Sequence, residues 1–151
     1  MKFYKVKLQM IKERTVQTEQ DISAPIDAVK FINSIENYDL SINERVIVIG
    51  LNSKNKILAY SEISSGGANS CEIDIPSIFR FLCTTTANKF IVVHNHPSGD
   101  STPSQLDLGV TERIEKAATI MGLHFLDHII IGDNDYTSIM SYKINKMKGD
   151  E

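Results

Sequence analysis

Residues 90–107 read FIVVHNHPSGDSTPSQLD, and the order of elements in and after this stretch indicates the fold class. It opens with the apolar run of a buried strand, and Pro97 and Gly99 then turn the chain. Apolar residues recur at helical spacing over residues 103–121, and a further apolar run covers residues 123–131. A strand, a turn, a helix and a second strand therefore follow one another. This order predicts an α/β domain.

Periodicity predicts more strands and helices on both sides of this stretch. Short-period alternation is typical of half-buried strands, and apolar runs on either side of the turn at residues 52–55 predict a hairpin. The expected elements are a strand at 3–9, a helix from 25, hairpin strands at 45–51 and 56–64, a helix at 76–86, a strand at 90–93, a helix at 103–121, and strands at 123–131 and 136–140. We expect them to form a mixed β-sheet flanked by helices, in two or three layers.

The composition is that of one globular domain. The 151 residues are 42% hydrophobic and 23% charged, which excludes a disordered chain. Sixteen Lys and Arg against 19 Asp and Glu give a net charge of −3, without the basic footprint of a DNA-binding domain. Two cysteines exclude a disulfide framework, and the sequence contains no apolar run of membrane-spanning length. Residues 1–8 alternate apolar and charged side chains, so we expect no signal peptide there. We therefore expect a cytoplasmic protein without a membrane partner.

Two histidines and an aspartate form the candidate metal site. His94 and His96 are two residues apart at the end of a predicted strand, so both side chains leave it on the same face. Asp107 lies in the following helix, and the intervening loop can bring its carboxylate back to the two rings. Three such ligands bind zinc and leave a fourth position for water. We predict one Zn²⁺ per chain, although iron or manganese suits the same donors.

Each of these residues also has a purely structural interpretation. A His-x-His pair at a strand end is often incidental, and Ser104-x-x-Asp107 is a helix capping-box pattern. A competing cap has Thr102 at N-cap, Pro103 at the first helical position and Gln105 at the third. We favour this second cap, which places Asp107 inside the helix beside an apolar stripe. A carboxylate there needs a partner, and metal ligation supplies one.

The pattern in residues 94–107 is His-x-His, seven residues, Ser, two residues and Asp, which resembles the metal motif of the JAMM/MPN metalloproteases. HNHPSGD at residues 94–100 and LDHIIIGD at residues 126–133 are similar to the RadC branch in particular, as is Ser61-Glu62. The resemblance covers about residues 43–140. It implies an MPN/JAB, cytidine-deaminase-like architecture and hydrolysis of a peptide or isopeptide bond in a protein or peptide substrate.

The sequence departs from RadC proteins in three places. Ser101 stands where proline is common and should only loosen the loop, and Gly67 stands where threonine is usual. Residues 1–42 do not resemble the helix-hairpin-helix segment often found ahead of this domain. We therefore expect a RadC-like metal domain at residues 43–142, an N-terminal arm of one strand and one helix before it, and a polar tail at residues 143–151.

In a hydrolase of this kind, a carboxylate takes a proton from the attacking water and returns it to the leaving amine. We predict Glu62 for this role because its position matches a glutamate of RadC-like sequences. It also shares a strand face with Leu58 and Tyr60, an apolar setting of the kind that tunes catalytic carboxylates. The alternative is a surface glutamate on an edge strand. Glu72 and Asp74 are the fallback candidates.

Other polar residues near the motif receive more modest predictions. Ser104 is expected to donate a hydrogen bond to the oxyanion that forms during hydrolysis, and Asn95 is expected to shape the turn. Asp127 and His128 lie in an apolar strand, so His128 is read as a core histidine whose alternative role is to orient a ligand imidazole. His124 is read as a partner of the preceding helix dipole.

Two functions compete with the zinc-dependent metallohydrolase. A DNA-repair-associated RadC-type protein has little support from the residues, because the chain is acidic and its cations are scattered. A catalytically silent MPN-like interaction scaffold would be favoured by missing ligands, and His94, His96 and Asp107 are all present. The sequence therefore favours metal-dependent hydrolysis.

Overall fold

The computed structural model describes residues 1–5, 7, 9–13, 15, 16, 18, 21–35, 43–65 and 73–149. Within these residues the chain forms five strands and four helices. In chain order they are α1 (Pro25–Ile35), β1 (Arg45–Leu51), β2 (Ile57–Ser65), α2 (Ile75–Cys83), β3 (Lys89–Asn95), α3 (Gln105–Met121), β4 (His124–Ile131), β5 (Tyr136–Ser138) and α4 (Ile139–Gly149). No helix among the described residues is long and apolar enough to cross a bilayer.

The five strands form one mixed sheet in the order β2-β1-β3-β4-β5. Strands β3 and β4 are parallel and are joined through α3, whereas the other neighbouring pairs are antiparallel. This arrangement confirms the predicted α/β class with a mixed sheet and flanking helices. It places the end of β3, with its histidines, near the middle of one sheet edge and beside the start of α3.

The two faces of the sheet carry separate apolar cores. On the first face, called the α1 face, Ile47, Ile49 and neighbouring strand residues pack against the buried side of α1. On the second face, called the α3 face, Val46 and Val48 pack with residues of α2 and α3. Alternation along a strand produces this division. Each fully buried aliphatic side chain contributes about 1.5–3 kcal/mol through the hydrophobic effect.

Helix α4 begins directly after the short edge strand β5. The buried Asp127 carboxylate accepts hydrogen bonds from the Met140 N–H near the start of α4 and from the His128 N–H. Lys143 of α4 forms an ion pair with Glu115 of α3 at 2.7 Å, so α4 also contacts the crossover helix.

Several predicted element boundaries need correction. The described residues between 3 and 9 form no strand, and Phe3 and Tyr4 are exposed. The strand predicted at 136–140 ends at residue 138, because Asp127 helps to start α4 there. Residues 143–149, predicted as a polar tail, continue α4. The glycines at 66 and 67 lie outside the described residues.

Candidate metal centre

His94 and His96 converge as their spacing predicts. They lie at and just beyond the end of β3, and their Nε2 atoms are 2.9 Å apart. The His94 side chain is fully buried, whereas the His96 side chain remains partly exposed. The His96 Nδ1 atom lies 2.7 Å from the Asp100 carbonyl oxygen. A carbonyl only accepts, so Nδ1 donates there and Nε2 faces His94.

Asp107 joins the two histidines from the first turn of α3. Its Oδ1 atom lies 3.3 Å from Nε2 of His94, and its Oδ2 atom lies 3.5 Å from Nε2 of His96. The structure therefore brings the three predicted metal ligands together around one point, which is open to solvent on the His96 side. Two elements, the end of β3 and the start of α3, supply the group.

The predicted helix cap was wrong. Ser104, rather than Thr102, is the N-cap of α3. The Thr102 N–H donates to the Asp100 side chain, which continues the loop through Pro103 and delays the helix. Ser104 and Asp107 form a reciprocal capping box, in which Oδ2 of Asp107 accepts from the Ser104 N–H at 2.7 Å. The capping box and the candidate metal site therefore share one carboxylate, and the cap holds Asp107 against the histidines.

The charges of this group reinforce one another. The hydrogen bond with Asp107 raises the pKa of His96 against the opposing effect of burial. Burial alone would raise the pKa of Asp107, but the His94 and His96 rings beside its two carboxylate oxygens hold that pKa well below its usual value. Asp107 is therefore an anion at neutral pH, as a metal ligand must be.

The donor set fits zinc. Two imidazole nitrogens and one carboxylate are the ligand types that Zn²⁺ takes in catalytic sites. Zn–N and Zn–O bonds near 2.0–2.1 Å place tetrahedral ligand atoms about 3.3 Å from one another. The two Nε2 atoms are 2.9 Å apart, and those of His94 and His96 lie 3.3 Å from Oδ1 and 3.5 Å from Oδ2 of Asp107 respectively, so each separation is near that spacing. His94, His96 and Asp107 can therefore hold one ion with little movement.

Glu44 is the site residue that sequence reasoning missed. One of its carboxylate oxygens lies within 4.8 Å of ring nitrogens of His94 and His96, and these three residues form a group able to hold a metal ion. Glu44 directly precedes β1, and strand alternation places it on the same face as Val46, the register partner of His94. That alternation was readable from the sequence. The register between β1 and β3 was not.

Asn95 holds the backbone on both sides of Glu44. Its Oδ1 atom accepts from the Arg45 N–H at 2.8 Å, and its Nδ2 atom donates to the Asn43 carbonyl at 3.0 Å. The Asn95 side chain is buried, so these bonds are shielded from water. The residue between the two histidines therefore positions the neighbouring carboxylate.

Glu62 lies away from this group. Its register partner on β1 is Ile47, which packs on the α1 face, opposite the face of His94. The Glu62 carboxylate accepts a hydrogen bond of 2.8 Å from Nε of Arg45 and forms an ion pair with that guanidinium. The structure therefore does not bring Glu62 together with the predicted metal ligands.

The fallback candidates for the general base were Glu72 and Asp74. Asp74 is the N-cap of α2 and accepts from the Ser77 N–H, which is a structural role. The hydrogen bond with Ser77 also lowers the pKa of Asp74. Glu72 lies outside the described residues. Ser104 lies beside the ligands, and its hydroxyl donates to Oδ2 of Asp107 at 2.6 Å.

The loop between His96 and α3 is fixed to the β4–β5 turn. The Asp133 N–H donates to the Gly99 carbonyl at 2.8 Å. A Cβ atom added at Gly132 would lie 2.4 Å from that same carbonyl oxygen, so this close approach requires glycine. Ser101 is buried and its hydroxyl contacts Asp135 and Thr137. The expectation that Ser101 loosens the loop was therefore wrong.

His128 is a buried core histidine that also touches a predicted ligand. Its Nε2 atom lies 2.7 Å from Nδ1 of His94, and its Nδ1 atom lies 2.7 Å from the Thr111 hydroxyl. Complete burial lowers the pKa of His128 well below its usual value. Burial raises the pKa of the neighbouring Asp127.

The fold and the site together define a class of protein. A mixed sheet with two histidines and a carboxylate gathered beside its central strand is an α/β domain of the MPN/JAB type with a candidate metal centre. The family model described as RadC-like JAB domain matches residues 22–144, and the chain belongs to this family. The match includes α1, which was predicted to belong to a separate N-terminal arm.

Relatives of the same kind occur in several bacteria. A UPF0758 protein of Clostridium perfringens (strain 13 / Type A) is 39% identical over 122 residues, which cover 81% of this chain and 53% of that protein. A UPF0758 protein of Desulforamulus reducens is 45% identical over 98 residues, or 65% of this chain and 43% of that protein. The chain thus spans about half the length of the curated relatives it matches.

Proposed function

We propose that this chain is a zinc-dependent metallohydrolase that cleaves a peptide or isopeptide bond in a protein or peptide substrate. The observation that carries the proposal is the convergence of two imidazole nitrogens and the Asp107 carboxylate within 3.5 Å of one another, beside the Glu44 carboxylate. A ligand group of three leaves room for water and substrate.

His94, His96 and Asp107 are the residues that would hold the ion. When bound in such a site, zinc lowers the pKa of a coordinated water toward 7 and polarises a carbonyl group. The protein supplies orientation: burial holds His94 still, the Asp100 carbonyl orients His96, and the capping box orients Asp107.

We assign proton transfer to Glu44. Its carboxylate lies close enough to the ligand nitrogens to reach a water molecule between them, take its proton and return that proton to the leaving amine. The earlier candidate, Glu62, lies on the opposite sheet face and is engaged by Arg45. Glu44 is therefore better placed than Glu62 for proton transfer, because it lies near the histidines and on their face of the sheet.

Ser104 remains our proposal for the oxyanion donor. The capping box needs only a lone pair of its hydroxyl oxygen, which accepts from the Asp107 N–H at 3.1 Å. The hydroxyl hydrogen can therefore turn from Oδ2 of Asp107 to a substrate oxygen without breaking the cap. Ser104 is exposed, so a substrate reaches it.

The test combines metal analysis with an unbiased peptide-library cleavage assay read by mass spectrometry. We expect one zinc per chain, cleavage that a chelator stops and added zinc restores, and a Glu44→Gln variant that keeps zinc but does not cleave. Protein that takes up no zinc on reconstitution would overturn the metal site. Zinc-loaded protein that cleaves neither the library nor isopeptide-linked conjugates would overturn the hydrolase and favour an interaction scaffold.

A further inference from the structure

A chain of short contacts runs from the metal centre into the α3-face core. Nδ1 of His94 lies 2.7 Å from Nε2 of His128, and Nδ1 of His128 lies 2.7 Å from Oγ1 of Thr111. Oγ1 of Thr111 in turn lies 2.6 Å from the backbone carbonyl oxygen of Asp107. All three side chains belong to residues without solvent exposure. Water therefore does not compete for these bonds.

The chemistry at one end fixes the direction of every bond in the chain. A backbone carbonyl only accepts, so the single hydroxyl hydrogen of Thr111 points to Asp107. The oxygen of Thr111 must then accept from Nδ1–H of His128, which leaves Nε2 of His128 as an acceptor. That acceptor requires a hydrogen on Nδ1 of His94.

This bond direction determines which nitrogen of His94 faces the candidate metal centre. With the hydrogen on Nδ1, a neutral His94 presents a bare Nε2 lone pair to His96 and Asp107. We propose that Thr111 and His128 are positioning residues that fix the tautomer and ring orientation of His94, so that its Nε2 atom is set to bind a metal ion. The inference deepens the proposed function and rests on its metal site alone.

The same threonine connects both elements that carry ligands. Thr111 lies one helical turn after Asp107 and bonds its carbonyl, while His128 links Thr111 to the buried end of β3. Partners of this kind behind a ligand histidine typically change metal affinity 10–100-fold when they are removed. Both positions would therefore affect the metal without touching it.

Thr119 provides a matched control on the same helix. Its hydroxyl makes the same type of bond to the carbonyl four residues earlier, that of Glu115, at 3.0 Å, but Thr119 is exposed. Thr111→Val removes the acceptor for His128, whereas Thr111→Ser keeps it and Thr119→Val removes a hydroxyl that the proposal does not use. At His128, Gln keeps an acceptor for His94 and Leu does not.

The first measurement is the imidazole tautomer in metal-free wild-type protein, read by two-bond ¹H–¹⁵N NMR at a pH where the rings are neutral. We expect His94 and His128 to carry their hydrogens on Nδ1. A hydrogen on Nε2 of His94 would overturn the proposal. This result depends on neither a variant nor activity, so it decides the matter even if zinc binding or hydrolysis fails.

The second measurement is zinc affinity by competition with a chromophoric chelator. We expect about a 10–100-fold loss in Thr111→Val and His128→Leu, and wild-type affinity in Thr111→Ser, His128→Gln and Thr119→Val. The loss should accompany a changed His94 tautomer signal in folded protein. Unchanged affinity and an unchanged tautomer in folded Thr111→Val would show that the hydroxyl only packs in the core.

Discussion

The two faces of the sheet are similar in their apolar cores and differ in how those cores end. On the α1 face, the core ends at an ion pair between Arg45 and Glu62, which water partly reaches. On the α3 face, it ends at His94, with Glu44 beside it and the buried His128 behind it. The adjacent residues Glu44 and Arg45 therefore end on opposite faces: Arg45 pairs with Glu62, and Glu44 lies beside the histidines.

This difference follows from what each environment does to a charge. The Arg45–Glu62 pair is partly exposed, and pairs of that kind contribute about 0–1 kcal/mol because water and salt screen them. On the α3 face, the side chains of His94, His128 and Thr111 are buried, and each must have a partner to offset its desolvation. There the partners are other imidazoles, the Thr111 hydroxyl and the Asp107 carboxylate. The α3 face therefore gathers interacting imidazole, hydroxyl and carboxylate groups at its end, whereas the α1 face ends in an ion pair.

The largest expected effect comes from removing ligands on the α3 face. His96→Ala and Asp107→Ala should lose the bound zinc and with it all hydrolysis, because each removes one of three protein donors. Glu62→Ala on the other face should keep one zinc per chain. Elemental analysis of the three variants checks this, and circular dichroism confirms that they fold. Zinc retained in both ligand variants would place the metal elsewhere.

Exchanging carboxylate for amide on each face gives the next effect. Glu44→Gln should lower kcat by about 10²–10⁴-fold with zinc retained, since it removes only proton transfer. Glu62→Gln should leave kcat nearly unchanged, because that carboxylate is held by Arg45 on the α1 face. Steady-state kinetics on one cleaved peptide measures both. The reverse pattern would restore Glu62 as the general base and reject our assignment.

Glu44 and Glu62 show how much of the candidate site could be predicted from the sequence alone. The spacing of His94, His96 and Asp107 in a strand–loop–helix unit was enough to predict that these side chains converge, because all three belong to one continuous segment. Glu44 directly precedes β1, fifty residues before His94, and its approach depends on the β1–β3 register. The residue type and the apolar neighbours of Glu62 favoured it as the general base. Which carboxylate reaches the histidines depends instead on which sheet face it lies on, and that is set by pairing with a strand distant in sequence.

The helix start teaches a related lesson. Pro103 suits the first position of a helix, and that local preference predicted the N-cap two residues too early, at Thr102 instead of Ser104. Tertiary bonds prevailed, because Ser104 and Asp107 satisfy each other while Asp107 also meets the histidines. Local propensity therefore predicted that a helix follows the loop, but it did not predict the residue at which α3 begins.

Core truncation separates stability from the site. Ile49→Ala on the α1 face should lower the free energy of unfolding by about 2–5 kcal/mol, and Phe90→Ala on the α3 face by about 3–5 kcal/mol. Only the second lies on the face of His94 and His128, so only Phe90→Ala should also weaken zinc binding. Denaturant titration and chelator competition measure the two quantities. Equal loss of affinity in both variants would mean that the two faces are not independent.

The smallest effect is expected at Gly132, where the end of β4 meets the loop that closes the α3-face site. A methyl group there would lie 2.4 Å from the Gly99 carbonyl oxygen, so Gly132→Ala must displace backbone and should cost about 1–3 kcal/mol of stability. The displaced loop carries His96, and zinc affinity should fall with it.

Gly109 is the matched control for that substitution. A Cβ atom there meets nothing within 4 Å, and the position lies inside α3. Gly109→Ala should stabilise the protein by about 0.4–1 kcal/mol through the lower entropy of the unfolded chain, with zinc affinity unchanged. Thermal unfolding with and without zinc compares the two. If Gly132→Ala bound zinc as tightly as Gly109→Ala, the loop contact would stabilise the fold without holding His96 in place.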